Sequence, residues 1–332
     1  AVDMKNSAVA AADIYAQMSF DDIWNMVTPE SINNGMGTIL QSLMDAYLYT
    51  GDAKYGEAGM VLLDRIADIY PEMEFSGTIE ECTLEQTLVK AYDAFYPAVG
   101  SPAIKSFLSA KADAIGLENP KAYSDWICKN IEDRILRQVR VLSENPQMAD
   151  NFGDQQVALA LAAVVLDNPS ETTGWLDFVF NDILPAIVNR TDRDGMGNET
   201  SLSSNRQFVD KVGLIADALD GYANYTKVNL YQNPAFIKML TAYYPMMAAG
   251  KYTIQPGESG STGVPEFIDS LEATAKCFEE TGDPVFAQLT YYLNNNSASG
   301  LHYCIFTNNP NSLAESVMNV ITTHGELELD ST

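Results

Sequence analysis

The chain has 332 residues, 46% of them hydrophobic, 10% aromatic and 19% charged, which is enough apolar material for a buried core and unlike a disordered chain. Its 19 Lys and Arg stand against 45 Asp and Glu, a formal charge of −26 with a pI near 4.2. That balance argues against a general nucleic-acid binder, which needs excess positive charge to displace counterions, and against attraction to an anionic membrane surface.

The start, Ala1-Val2-Asp3-Met4, carries neither an initiator Met nor the basic and apolar regions of a signal peptide. It reads as a processed mature end or as the edge of an excised segment. Helical patterns follow at 3–18 and 36–50. Tyr55, Ala58, Leu62, Ile66 and Ile69 recur at spacings of three and four, an amphipathic stripe that Pro71 stops. Helices are expected again at 79–96 and 101–116, and Ile127, Ile131, Ile135, Val139 and Leu142 form a second stripe. Arg134, Arg137 and Arg140 lie on the other side of it and read as a solvated face rather than a binding patch. The run Val157–Leu166 is apolar all round, so a helix over 153–167 must be covered on both sides; it is also about half of what a membrane span requires. Further helices are expected at 173–188, 203–223, 231–249, 265–281, 284–294 and 312–324. Period-two alternation is confined to Glu326-Leu327-Glu328-Leu329, and the largest irregular stretch is 251–264.

The expected class is therefore all-α. Buried helices inside a layer of amphipathic ones are what a double-layered (α/α) toroid requires, and a solenoid should show a clearer short repeat. One faint echo exists: Tyr47-Leu-Tyr-Thr-Gly-Asp-Ala-Lys-Tyr55 resembles Phe278-Glu-Glu-Thr-Gly-Asp-Pro-Val-Phe286. Both read as a helix end with Gly at the C-cap and Asp capping the next helix. A single domain over 1–325 is expected, with 326–332 as a tail or the start of another domain.

Cys82, Cys128, Cys277 and Cys304 are far apart and form no CxxC pair, so buried thiols are favoured over a zinc site or disulfides. His302 and His324 are the only histidines, too few for a three-His centre. The sequons at Asn189, Asn198, Asn224 and Asn295 carry no weight in an Asn-rich chain. Asp192-Arg-Asp-Gly-Met-Gly-Asn-Glu199 could supply oxygens to a structural calcium near Asp192 and Asp194, although EF-hand spacing is absent and a glycine-supported helix cap is preferred. Tyr92-Asp93 and Asn151-Phe-Gly-Asp-Gln-Gln156 are the other polar clusters beside apolar helices. Asn151 is either the cap of the buried helix or a group facing the mouth of a toroid.

Tyr49–Pro71, Ala91–Asp93, Asn151–Ala160 and Asp192–Ser201, in this order and spacing, resemble the helical domain of heparinase II/III-like polysaccharide lyases across roughly residues 20–330. The resemblance implies an incomplete (α/α) toroid followed by a β-sandwich domain, which would begin near Gly325–Asp330. It implies β-elimination on a uronic-acid polysaccharide, hence an acidic polysaccharide or oligosaccharide as partner and a secreted or periplasmic location. The reaction requires a group that neutralises the uronate carboxylate, a base, and an acid for the leaving oxygen. By the resemblance Asn151 fits the neutralising position, Gln155 stands in a slot often held by His, and Ser204 stands where a Tyr is usual, with Leu202 in place of Pro. Gln156, Glu199, Asn205, Arg206 and Tyr92 are the implied substrate-binding residues. A serine hydroxyl without an activating partner cannot serve as both base and acid, as a phenol can. Tyr222, Tyr225 or His302 could substitute, and Arg190, Arg193 and Arg206 could form a local positive groove. Weak or absent turnover is expected. The alternatives are a non-catalytic glycan- or protein-binding toroid and an α/α-toroid glycoside hydrolase using paired carboxylates such as Asp154 and Glu199.

Overall fold

The computed structural model describes residues 2–75, 79–114, 123–148, 153–199, 201–248, 252–253, 270–302, 309 and 311–329. Asn151, Cys304 and most of the 251–264 stretch lie outside the described residues. The chain is all-α, and the described strands are a two-residue hairpin, β1 (Met247–Ala248) with β2 (Tyr252–Thr253). The described residues divide into two compact units, Ala1–Val179 and Phe180–Thr332.

In the first unit the helices are α1 (Val2–Ala16), α2 (Phe20–Asn25), α3 (Pro29–Asn33), α4 (Met36–Thr50), α5 (Ala53–Ile69), α6 (Ile79–Phe95), α7 (Pro102–Ala114), α8 (Tyr123–Ile131), α9 (Arg137–Leu142), α10 (Asp154–Leu166) and the first part of α11 (Thr172–Asn189). A π segment, Glu132–Leu136, joins α8 to α9 as one continuous rod. The short α2 and α3 go beyond the helical patterns of the sequence, though their caps are visible in it. Ser19 accepts from the Asp22 backbone, and Thr28 with Ser31 forms a reciprocal capping box ahead of Pro29.

Helix directions follow from side-chain contacts. The Thr-Gly-Asp turn folds α5 back along α4, with Gly51 at φ 66° ending one helix and Asp52 accepting from the Lys54 N–H to begin the next. Gly59 lies against Phe95 while Tyr70 reaches Glu85, so α5 and α6 are antiparallel. Tyr92 contacts Glu132, whereas Gln155, which takes the Cys82 hydrogen bond, also donates to the Val139 carbonyl; the α8–α9 rod is thus antiparallel to both α6 and α10. Asn130 meets Asp64 and Arg134 meets Ala67 and Asp68, so the rod runs parallel to α5. In this unit α4, α6 and α10 therefore run one way, and α5 and α8–α9 the other. The amino-terminal ends of α4, α6 and α10 share one end of the unit.

One expectation is corrected. The stripe on α5 suggests a helix with a wet face, yet Met60, Val61, Leu63 and Asp64 on its other sides are buried too. The cause is cover from outside: α1, α2 and α7 pack onto α5 in addition to α4 and α6. The second stripe, Ile127 through Leu142, is buried as expected. The arginines opposite it are all engaged. Arg134 donates to the Ala67 and Asp68 carbonyls at the end of α5, Arg137 makes a two-pronged contact with Glu171, and Arg140 pairs with Glu144. Residues Val157 to Ala160 of α10 are buried, as its all-round apolar sequence demands.

The second unit holds the rest of α11 and α12 (Leu202–Leu219), α13 (Pro234–Thr241), α14 (Leu271–Thr281), α15 (Pro284–Leu293) and α16 (Ser312–His324). The helix expected over 231–249 is shorter than its pattern. It ends at Thr241, and a 3-10 turn containing Pro245 precedes β1. The Thr-Gly-Asp echo is real at the level of hydrogen bonds. Thr281 donates to the Cys277 carbonyl as Thr50 does to Ala46, Gly282 repeats φ 66°, and Asp283 accepts from Val285 as Asp52 does from Lys54. Residues 326–329 carry no strand; a single alternating segment needs a partner ladder, and none is present among the described residues. No described helix is long and apolar enough to cross a membrane.

Candidate functional site

At the shared amino-terminal end of the first unit, a cleft of about 630 Å3 opens between α4 and α6. Thr38, Gln41 and Ser42 line it from α4, and Glu80, Glu81, Thr83 and Thr87 from α6. Thr38 and Gln41 lie three apart on α4, and Thr83 and Thr87 lie four apart on α6, so each pair projects from one face of its helix. The Gln41 amide donates to Asp45, one turn further along α4, at 2.8 Å. Asn33 and Gly35 complete the rim, and Gly35, at φ 102°, starts α4 with no side-chain cap.

On the flank of α6 turned to α10 lies a buried polar network. Gln86 donates to the Asp154 carbonyl and side chain, at 3.1 and 3.2 Å. Cys82 donates to Gln155 at 3.4 Å, and Gln155 to the Val139 carbonyl at 3.3 Å. The Tyr70 hydroxyl donates to Glu85 at 3.3 Å. Glu85 is fully buried; burial pushes its carboxyl up to about 8, against the opposing pull of hydrogen bonds from Gln155 and Tyr70. A second buried acid, Asp64 on α5, is also raised to about 8, by burial and then by the neighbouring Asp68 charge. Asn130 bridges the two aspartates, donating to Asp64 at 3.1 Å and to Asp68 at 3.2 Å. Neither Glu85 nor Asp64 is part of the cleft lining.

Gln155 is 1% exposed and ties α10 to α6 and α9. Gln156 beside it is half-buried. Tyr92 is not brought to Gln155. It lies ten residues beyond Cys82 on α6, about 15 Å along the helix, where its hydroxyl donates to Glu132. Burial and the adjacent Cys128 raise that phenol above its ordinary range. Asn151 lies outside the described residues.

The other candidates belong to the second unit. Residues 190–198 form a small hairpin in which Thr191 bridges Gly197 and the Asp192 N–H donates to Met196 at 2.8 Å. Asp194 accepts from the Met196 N–H, and Asp192 and Asp194 are exposed. Among the described residues no group of three or more acids, histidines or cysteines is placed to hold a metal. The glycines here are required by close approach. A Cβ on Gly195, at φ 93°, would lie 2.3 Å from the Lys238 carbonyl oxygen, and one on Gly197 would lie 2.1 Å from Asn205 Oδ1.

Asn205 is 5% exposed; its Oδ1 accepts from the Glu199 N–H at 2.8 Å, which pins the hairpin to α12. Ser201 caps α12, accepting from the Ser204 N–H and donating to the Ser204 hydroxyl at 2.8 Å. Arg206 is 7% exposed, pairs with Asp210 at 2.7 Å and lies over the Tyr243 ring. Arg190 lies over Phe208, and the Arg193 carbonyl accepts from Lys238. Asn205→Ala is expected to lower stability by about 1–2 kcal/mol, since it orphans the Glu199 amide, and chemical denaturation measures it. An unchanged midpoint would show that the hairpin is held by other contacts.

The chain matches no protein-family model and no curated protein. The cleft residues carry no motif in the sequence, although Thr38/Gln41 and Glu80/Thr83/Thr87 do recur at helical spacing. Polar side chains at that spacing mark any exposed helix face, and only the neighbouring helix makes such a face a wall.

Proposed function

We propose that the chain is a toroid-type helical domain that binds a polyhydroxylated glycan in the cleft between α4 and α6 and does not turn it over by itself. The observation that carries this reading is the lining. Hydroxyls of Thr38, Ser42, Thr83 and Thr87 and the amides of Asn33 and Gln41 line one concave opening. Ser42, Thr83 and Thr87 donate to carbonyls of their own helices, so toward a ligand they offer acceptors and the two amides offer donors, a set suited to sugar hydroxyls. The alternation of parallel and antiparallel helices in the first unit and the repeated Thr-Gly-Asp connectors are compatible with an (α/α) toroid. The resemblance to heparinase II/III-like polysaccharide lyases supports a glycan as ligand and, with it, a secreted or periplasmic location.

The charge of the cleft selects among glycans. The amino termini of α4 and α6 each bring about half a positive charge. Glu80 and Glu81 bring two full negative charges, and the described lining has no Lys or Arg. The carboxylates outweigh the dipoles, so a neutral glycan is favoured over a uronate polymer. Turnover is disfavoured on separate grounds, because Ser204 is engaged with Ser201, and a second serine hydroxyl does not activate it as a base.

Calorimetric titration with neutral oligosaccharides and with hyaluronan, heparan sulfate and alginate fragments tests the reading. Neutral oligosaccharides are expected to bind more tightly, and Gln41→Ala with Thr87→Ala to weaken them about tenfold. Tighter binding of the uronate fragments, or steady growth of the ultraviolet absorbance of an unsaturated uronate, would overturn it.

A further inference from the structure

The second unit contains a separate cavity of about 420 Å3, between the carboxyl-terminal end of α12, the turn that follows it, and α14. Tyr222, Tyr225 and Tyr231 line it, and two of these rings are held in place. Tyr225 stacks on Phe180 with centroids 5.7 Å apart. The Tyr231 hydroxyl donates to Asp217 while its ring packs on Phe236. Fixed aromatic walls of this kind are a preformed ligand surface, because little side-chain freedom remains to be lost on binding.

The charged groups decide what the walls would accept. Asp220 and Glu280 line the cavity, and Lys276 is shared among Asp220 at 2.8 Å, Glu280 at 2.9 Å and Glu279 at 3.3 Å. Lys276 thus serves both lining carboxylates and Glu279 outside the lining, while Lys227 lies over the Tyr225 ring at 5.8 Å; the two lining carboxylates keep an excess of one negative charge over Lys276. Ala216 and Leu219 at the end of α12 also face the cavity, so the negative end of that helix adds to the same field. An anion is repelled there. A bare metal ion lacks its ligand set, since among the described residues no three acidic, histidine or cysteine groups are placed to hold one, and the carboxylates here already converge on Lys276. An organic ammonium meets both features, with its charge toward the carboxylates and its carbon skeleton against the tyrosine faces.

We infer that this cavity is a binding site for a small organic amine cation, distinct from the glycan cleft and independent of that reading. Asp220 and Glu280 supply the charge, the fixed Tyr225 and Tyr231 together with Tyr222 the walls, and Asn229 and Gln232 the polar rim.

The test is calorimetric titration of the whole chain with 1,4-diaminobutane and tetramethylammonium, with magnesium and a neutral disaccharide as comparators. One amine per chain is expected. Tyr222→Ala and Glu280→Gln are each expected to weaken it about tenfold, while Gln41→Ala leaves it unchanged. Thermal melts of each variant separate loss of binding from loss of fold, and Tyr222→Phe, which keeps the ring, is expected to retain affinity. Magnesium competing as well as the amines would reduce the site to general ionic attraction and overturn the inference. So would disaccharide binding without amine binding, or a folded Tyr222→Ala chain with undiminished affinity.

Discussion

Glu85→Gln is expected to stabilise the first unit at pH 7 and to flatten its dependence on pH. Glu85 is fully buried, its Oε2 has no hydrogen-bond partner among the described residues, and burial raises its carboxyl to about 8. An unfolded glutamate titrates near 4.3, so between about pH 4.3 and 8 the folded chain holds a proton that the unfolded chain has released. Stability must then fall as pH rises through that window and level off above it. The difference at pH 7 relative to acid is at most about 4 kcal/mol, from roughly 1.4 kcal/mol per pH unit. Glutamine stays neutral throughout and can still accept from Tyr70. Its amide gains two donors that need acceptors, so the net gain is expected at about 1–3 kcal/mol at pH 7. Asp64→Asn should act in the same direction through the Asn130 contact. Denaturant midpoints at pH 5, 7 and 9 measure both. A wild-type midpoint that rises from pH 5 to 8, or a Glu85→Gln chain with an unaltered slope, would contradict the assignment.

Gly59→Ala is expected to destabilise the chain by about 2–3 kcal/mol, opposite to the gain of up to about 1 kcal/mol that alanine usually brings inside a helix. A Cβ at Gly59 would lie 2.3 Å from the Phe95 ring, and Phe95 is fully buried where α5 crosses α6. Overpacking therefore decides the sign. Gly213 provides the contrast. It sits inside α12, where an added Cβ would meet nothing within 4 Å among the described residues, so Gly213→Ala is expected to stabilise by about 0.5–1 kcal/mol. Phe95→Leu should relieve part of the Gly59→Ala loss, and a double-mutant cycle of unfolding energies reads that coupling. Additive effects of the two substitutions would show that the ring does not set the limit.

How much of the fold and the site is legible in the sequence differs from residue to residue. The Thr-Gly-Asp turns are readable because a left-handed Gly and a capping Asp act within four residues of each other, and both copies form the same bonds. The apolar α10 is readable because a helix without a polar side has only one destination. Asn205 enters the sequence reading only through the resemblance, as a substrate-binding residue, but its side chain is spent on Glu199, a backbone partner no spacing rule exposes. Tyr92 and Gln155 read alike as polar neighbours of apolar helices, yet they serve opposite ends of α6.

The sequence by itself determined most of the helices and the Thr-Gly-Asp turns with their caps, since these depend on contacts within one or two helical turns; α2, α3 and the early end of α13 lay outside its patterns. The tertiary structure alone decided that α5 is covered on its outer side, that Glu85 and Asp64 are stripped of water, and that Thr38, Gln41, Thr83 and Thr87 face one cleft. Burial and concavity are properties of which distant segments pack together. A side chain's local pattern states which way it points, and only its neighbours state whether it meets solvent, a ligand or another helix.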